Sequence, residues 1–232
     1  MITPEIKQAL GGYFARMDRP VTLVLQTGEH DKRAEQAGFL ADVAGISDNV
    51  TLEERDAGLR SPVSFTLEVD GEATGIVFSG IPGGHEFNSL ILAILHASGS
   101  AMKLDDSVRK LVSKVSKQLK FEVYISLSCH NCPDVVQALN QFALLNPNIS
   151  AEMLDGGLFP ELIEQNDIQG VPTVFLNGEL FANGKVDAAA LLDKLIEVEP
   201  AITQASAKSS LPLQDVTVIG GGAPSRRHHH AG

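Results

Sequence analysis

Ser-Leu-Ser-Cys-His-Asn-Cys-Pro-Asp, residues 126–134, holds the only two cysteines of the chain, Cys129 and Cys132. Residues 121–126, before the pair, predict a buried strand, and residues 133–145, after it, predict a helix. Two residues between cysteines at the start of a helix let the sulfur atoms reach the disulfide distance of about 2.05 Å with little backbone movement. The segment therefore predicts a redox-active pair of thiols on a strand–turn–helix.

The order of the two cysteines predicts their roles. Unpaired N–H groups and the positive dipole end at a helix start favour the thiolate, so we expect the thiol pKa to fall from about 8.5 to about 7 or lower. Cys129, the outer residue, is the predicted nucleophile, and Cys132, one turn in, is the predicted resolving thiol. Two alternatives stay open: a structural or inert pair, and a zinc site that would need ligands such as His85, His96 or His130 at no recognisable spacing. We predict no metal site.

The composition favours a folded protein that binds neither nucleic acid nor membranes. The 232 residues are 44% apolar and 20% charged, which is typical of a globular chain with room for two small domains. With 29 acidic and 18 basic side chains the formal net charge is -11, which repels phosphate backbones and anionic lipid headgroups. The N-terminus lacks the pattern of a secretory signal, and no apolar stretch approaches the roughly 20 residues that span a bilayer. We therefore expect a cytoplasmic protein.

The predicted elements occur in the same order in two halves of the chain, offset by about 100 to 110 residues. The first half has predicted helix 4–17, strand 21–26, helix 31–43, strands 63–69 and 74–79, and helix 86–97. The second half has predicted helix 104–119, strand 121–126, helix 133–145, strand 149–154, helix 160–166, strands 173–176 and 179–182, and helix 188–198. This order predicts an α/β protein built from a duplicated β-α-β-α-β-β-α unit.

Four regions follow from this pattern. Residues 1–100 are predicted to form a unit without cysteines, and residues 101–198 a unit that carries the Cys pair. Residues 199–213, rich in polar residues and without apolar periodicity, are predicted to be a linker. Residues 214–232 start as a strand with a glycine-rich turn, which predicts the truncated start of a dinucleotide-binding domain followed by an aberrant tail.

The glycine-rich turn departs from the dinucleotide-binding pattern. Gly220 and Gly222 match its first two glycines, but Ser225 stands where the third is expected. We therefore predict a remnant and no functional cofactor site. Three explanations of this end stay open: an extension introduced by cloning, a natural truncation and a shifted reading frame.

Two further positions are candidates for the site of the thiols. Pro172 precedes strand 173–176, where a cis-proline would lie beside the active thiol and let the backbone of Val171 pair with an extended partner segment. A plain strand-initiating proline is the alternative. Glu86 begins the last helix of the first half, where the helix dipole alone would stabilise a carboxylate. If the two halves place it across from Cys129, it could exchange protons with the thiols.

These features together resemble the N-terminal region of one flavoprotein family, the F subunit of alkyl hydroperoxide reductase. The resemblance rests on the Cys motif, on Gly-Val-Pro at 170–172, on the first unit without cysteines and on Val-Ile-Gly-Gly-Gly at 218–222, and it covers about residues 1–222. It implies two tandem thioredoxin- or glutaredoxin-like folds that form one unit. It places the family's redox pair on Cys129 and Cys132, its cis-proline on Pro172 and its acidic residue on Glu86.

The resemblance also implies an electron path. In that family NADH reduces FAD, a dithiol of the flavin domain reduces the N-terminal Cys pair, and this pair reduces the disulfide of a separate peroxiredoxin. The implied partners are the peroxiredoxin component of the reductase, the flavin domain of the full-length chain and a second copy in a homodimer. This chain on its own is expected to hold no cofactor and not to oxidise NADH. Two other functions stay open: a free-standing glutaredoxin-like protein disulfide oxidoreductase and a non-enzymatic docking module.

Overall fold

A mixed sheet of eight strands runs through residues 2–203, the part of the chain that the computed structural model describes. The strands are β1 (Val21–Leu25), β2 (Val50–Glu54), β3 (Ser64–Val69), β4 (Glu72–Ser79), β5 (Leu119–Ile125), β6 (Ile149–Asp155), β7 (Thr173–Leu176) and β8 (Glu179–Asn183). They lie side by side in the order β2-β1-β3-β4-β6-β5-β7-β8.

Helices cover the sheet mainly on one face, where the main core lies. They are α1 (Pro4–Ala15), α2 (Arg33–Ala44), α3 (Phe87–Ala97), α4 (Asp106–Ser113), α5 (Cys132–Leu145), α6 (Pro160–Gln165) and α7 (Ala188–Val198), and a 3-10 turn (Gly84–Glu86) leads into α3. Alternate residues of a strand face the same side, so Leu23 and Leu25 of β1 and Phe121 and Val123 of β5 enter this core. Leu162 of α6 packs in a smaller cluster on the other face.

Each half of the chain contributes four strands with the same pairing. β1 pairs parallel to β2 and antiparallel to β3, and β5 pairs parallel to β6 and antiparallel to β7. The halves meet where β4 pairs parallel to β6, from Ile76 opposite Ala151 to Ser79 opposite Leu154. The thioredoxin-like α/β class is thus confirmed, and the repeated strand order confirms the tandem arrangement in part.

The first half departs from the predicted repeat unit in one element, since no helix lies between β2 and β3. The strand β2 belongs to that unit, although the local sequence pattern of the first half did not indicate it. β2 lies at the edge of the sheet, and its burial is confined to Val50 and part of Leu52 while Glu53 and Glu54 are exposed. An edge strand with two apolar residues carries little of the periodic signal on which the prediction depended.

The predicted helix 104–119 is also shorter than expected. It ends at Ser113, and the side-chain amide of Asn146 donates to the backbone carbonyls of Val112 and Val115 near this end, at 2.9 and 2.8 Å. Leu119 instead begins β5, where it pairs with Ile149. The apolar side chain of Leu119 is buried in this strand. An apolar residue also fits the buried face of a helix, so the sequence alone did not distinguish a helix end from a strand start.

The predicted linker 199–213 is wrong at its start, since residues 201–203 are helical and Ile202 is buried in the main core. Residues 204–213, and the glycine-rich turn with Gly220 and Gly222, lie outside the described residues. Within residues 2–203 no helix combines the length and the apolar character needed to cross a membrane.

Candidate functional site

The two cysteines lie where β5 ends and α5 begins, and both are free thiols. Cys132 is the first residue of α5 and is fully buried, whereas Cys129, in the preceding loop, is half-buried. The backbone N–H of Cys129 donates to the carbonyl of Ser126 at 3.0 Å, which closes the turn that follows β5. The strand–turn–helix thus offers one thiol to a partner and shelters the other.

Burial raises the pKa of the Cys132 thiol well above its ordinary value. The neighbouring thiol of Cys129 raises it further, and the charge of Glu86 adds a smaller contribution in the same direction. A hydrogen bond with the backbone of Ser126 acts the other way but is weaker. The expected lowering of the thiol pKa therefore does not hold for Cys132, because burial disfavours its charged thiolate form. This thiol needs a proton acceptor before it can act as a nucleophile.

The Val171–Pro172 peptide bond is cis, as predicted, and lies beside the outer thiol. The sulfur of Cys129 is 3.8 Å from the carbonyl oxygen of Val171, within the range of a weak S–H hydrogen bond. Pro172 is buried, and its carbonyl accepts from the N–H of Gly184 at 2.9 Å, which anchors this loop to the end of β8. The backbone of Val171 is thus held next to the half-buried sulfur.

Glu86 is fully buried at the end of the 3-10 turn before α3. Its Oε1 accepts a hydrogen bond from Ser89 Oγ at 2.7 Å, and its Oε2 has no hydrogen-bond partner among residues 2–203. Burial raises the pKa of Glu86 from 4.5 to about 7, the hydrogen bond from Ser89 lowers it, and the charge of Asp134 raises it. Such a carboxyl group changes its protonation state near neutral pH.

The loop that carries Glu86 touches the loop that carries the cysteines. The N–H of His85 donates to the carbonyl of Leu127 at 3.1 Å, and the rings of His85 and His130 meet edge-on with centroids 4.4 Å apart. Gly84 has a positive φ of 54°, and a Cβ at this position would lie 2.9 Å from Leu127 O. The two halves therefore meet directly at the thiols.

Sequence reasoning missed two residues around Glu86. Ser89 follows Glu86 by three positions, a spacing that places side chains on one helix face and could have indicated the contact. Gln137, on α5, donates through Nε2 to Ser89 Oγ at 3.1 Å. No local signal links Gln137 to Ser89, since they belong to different halves of the chain.

The histidines considered as zinc ligands do not come together as a site. Within residues 2–203 no group of three or more His, Cys, Asp or Glu side chains is arranged to hold a metal ion. His96 lies near the end of α3, where burial lowers its pKa. The glycine-rich turn that the sequence predicts lies outside the described residues.

Comparison with known proteins identifies the family. A family described as Thioredoxin domain matches residues 119–197. The F subunit of alkyl hydroperoxide reductase in Pseudomonas aeruginosa is 40% identical over 222 residues, 96% of this chain. The crystal structure of the NTD_N/C domain of this reductase from Enterococcus faecalis is 36% identical with a TM-score of 0.77, and the match covers 84% of this chain and all of that one. The chain belongs to the family of alkyl hydroperoxide reductase F subunits.

The chain covers only part of these curated relatives. The match spans 42% of the length of the Pseudomonas aeruginosa protein. A protein disulfide oxidoreductase from Aeropyrum pernix also has this fold, with a TM-score of 0.74 at 18% identity over 83% of this chain and 91% of that one. Membership of the reductase family places the chain among the dithiol–disulfide oxidoreductases.

Proposed function

We propose that this chain passes two electrons from its Cys129–Cys132 dithiol to the disulfide of a peroxiredoxin, as the relay step of peroxide detoxification. The observation that carries the proposal is the pairing of a half-buried thiol at 3.8 Å from the Val171 carbonyl with a fully buried thiol whose pKa is raised by burial. The first thiol is accessible to a protein disulfide, and the second is protected until a mixed disulfide has formed.

In the first step the thiolate of Cys129 attacks one sulfur of the partner disulfide. The partner S–S bond breaks, a mixed disulfide forms on Cys129, and one partner thiolate leaves and takes up a proton. The backbone of Val171, positioned by the cis-Pro172 loop, pairs with the extended partner segment around its cysteine. This pairing orients the partner sulfur toward Cys129.

In the second step Cys132 gives its proton to the carboxylate of Glu86 and attacks the sulfur of Cys129. The Cys129–Cys132 disulfide forms and the second partner thiolate leaves, so two electrons have passed from the chain to the partner. The proton held on Glu86 can then pass to that leaving thiolate. A carboxyl group with a pKa of about 7 is suited to both tasks near neutral pH.

The relay needs a source of electrons to reduce the Cys129–Cys132 disulfide again. In the electron path that the family resemblance implies, this source would be a dithiol of the flavin domain, which FAD would reduce with electrons taken from NADH. The residues of this chain contribute thiol exchange and proton transfer.

Stopped-flow transfer from the reduced chain tests the proposal. We expect pre-reduced chain to reduce one equivalent of an oxidised peroxiredoxin, and Cys132→Ser to accumulate a mixed disulfide with it, whereas Cys129→Ser does neither. Failure of pre-reduced wild-type chain to reduce the peroxiredoxin disulfide would refute the relay. Insulin reduced as fast as the peroxiredoxin would favour a broad protein disulfide oxidoreductase, and binding and cellular function unaffected by loss of both cysteines would favour a docking module.

A further inference from the structure

A chain of two hydrogen bonds connects Glu86 to the helix that carries the buried thiol. Gln137 Nε2 donates to Ser89 Oγ at 3.1 Å, and Ser89 Oγ donates to Glu86 Oε1 at 2.7 Å. Ser89 and Glu86 come from the first half of the chain, while Gln137 lies on α5, the helix that begins at Cys132. Both Ser89 and Glu86 are buried, so water does not compete for these bonds.

The direction of the two bonds follows from the donors available. An amide NH₂ group can only donate, so Gln137 occupies a lone pair of the Ser89 oxygen. The hydroxyl group has a single proton, which is then directed to Glu86 Oε1. Oε1 is thereby held, and Oε2, which has no partner among the described residues, is left as the oxygen that can take a proton.

We propose that Ser89 and Gln137 are positioning residues that orient the Glu86 carboxyl group toward Cys132 and set the pH at which it accepts the thiol proton. This inference rests on the proposed role of Glu86 in thiol exchange. The hydroxyl of Ser89 stabilises the carboxylate form, because a hydrogen bond to a charged acceptor is stronger than one to a neutral acceptor. Gln137 keeps that hydroxyl turned toward Glu86 and ties it to the same helix as Cys132.

Of the ionisable groups near Glu86, Asp134 acts in the opposite direction. From α5, the charge of Asp134 raises the pKa of Glu86, and the charge of Glu86 in turn raises the pKa of Cys132. Cys129 faces Cys132, and His85, adjacent to Glu86, is turned toward the ring of His130. Among these surroundings the Ser89 hydroxyl is the group that lowers the pKa of Glu86.

The test uses Ellman's reagent, a small disulfide that reacts without any partner protein. Attack by Cys129 releases one coloured thiolate, and resolution by Cys132 releases a second. The rate of the second release therefore measures the step in which Cys132 gives up its proton. In wild-type chain we expect the rate of the second phase to rise with pH through about 7. In Ser89→Ala we expect this inflection to move up by roughly one pH unit, which lowers the rate at pH 7 about fivefold. At high pH the variant should be as fast as wild type or faster.

A direct titration of the Glu86 carboxyl group by carbon NMR should show the same upward shift in Ser89→Ala. Gln137→Ala, which removes a side chain from the partly exposed side of α5, should shift it in the same direction by less. Ser89→Thr, which keeps a hydroxyl group, should restore the wild-type inflection. The matched control is Ser98→Ala, since Ser98 is equally buried but lies beyond the far end of α3.

The outcomes separate this inference from the function on which it rests. If Glu86→Gln abolishes the inflection while Ser89→Ala and Gln137→Ala leave both the inflection and the NMR titration in place, the positioning role is wrong and the role of Glu86 stands. If Glu86→Gln leaves the inflection unchanged, Glu86 is not the proton acceptor and the inference falls with it. The peroxiredoxin assay remains an independent test of the relay.

Discussion

The imidazole rings of His85 and His130 meet edge-on, with centroids 4.4 Å apart and planes at 63°. His85 belongs to the half of the chain that has no cysteines, and His130 lies between the two cysteines. The contact adjoins the hydrogen bond from the His85 N–H to Leu127 O and the buried carboxyl group of Glu86. The half without cysteines thus forms one wall of the thiol site. Substitutions in this wall should therefore alter the rate of thiol exchange.

Limited alkylation should label the two thiols in a fixed order. We expect one equivalent of iodoacetamide to modify Cys129 in the reduced chain, because Cys129 is half-buried and Cys132 is fully buried with a raised pKa. Peptide mapping measures the label at each position. Unfolding in denaturant is the control, and it should remove the preference. Preferential labelling of Cys132 in the folded chain would reverse the assigned roles.

Replacing Glu86 by Gln should make the chain more stable at alkaline pH. Its pKa is raised from 4.5 to about 7, so the folded state favours the protonated form. That contribution to stability is complete below pH 4.5 and is lost as the pH rises through about 7. The shift in pKa corresponds to at most about 3 kcal/mol in the free energy of unfolding. Wild type should lose this stability by pH 8, whereas Glu86→Gln, which has no carboxyl group to ionise, should keep it. Urea unfolding at pH 4.5 and pH 8 measures it.

The control for this pH dependence is Glu35→Gln, which removes an exposed carboxyl group on α2. Its free energy of unfolding should follow that of wild type at both pH values. A Glu86→Gln variant whose stability relative to wild type does not change with pH would show that burial does not hold Glu86 protonated.

Replacing Gly84 by Ala should disturb both stability and thiol exchange. Gly84 has a φ of 54°, and the new Cβ would lie 2.9 Å from the backbone oxygen of Leu127, which cannot move aside without shifting the Cys loop. We expect a loss of roughly 1–3 kcal/mol in the free energy of unfolding, together with slower resolution by Cys132. Thermal unfolding and the second phase of the Ellman reaction measure these effects.

Gly58→Ala provides the comparison for Gly84→Ala. Gly58 also has a positive φ, of 70°, but its Cβ would meet no atom within 4 Å. This variant should show only the cost of the backbone conformation and normal thiol exchange. Equal effects of the two substitutions on exchange would mean that the Gly84–Leu127 approach does not position the site.

Breaking the ion pair between the halves should destabilise the whole sheet. Arg60 donates through Nε and Nη2 to the two carboxylate oxygens of Glu152 at 2.9 and 3.0 Å, and Glu152 also accepts from Ser79 at 2.5 Å. Glu152 is only 7% exposed, so Arg60→Gln leaves a buried carboxylate without its cation, at a cost of about 3 kcal/mol. Urea unfolding measures the loss.

Lys32→Gln is the control for Arg60→Gln, since it breaks an ion pair whose side chains are 51% and 55% exposed. Surface pairs of this kind contribute from about 0 to 1 kcal/mol, so this variant should be close to wild type. An Arg60→Gln chain that is no less stable than Lys32→Gln would show that the Arg60–Glu152 pair does not join the halves.

Much of this site could be predicted from local sequence. Cys129 and Cys132 follow a strand and precede a helix, and both elements are recognisable from apolar periodicity within a few residues. The cis bond before Pro172 could be placed in the same way, from its position ahead of a hairpin strand. The strand β2 could not be predicted from local sequence, because an edge strand with few buried residues has little apolar periodicity.

Local sequence was enough to predict the α/β class, the position of the dithiol and the residue types available for its chemistry. Folding established which distant groups surround the thiols: pairing of β4 with β6 brings Glu86 and Ser89 to α5, where Gln137 meets them. It also set the sign of the pKa change at Cys132, where burial raises the pKa of the thiol. Periodicity and helix dipoles act within one segment, whereas burial and proton acceptance depend on segments that only folding brings together.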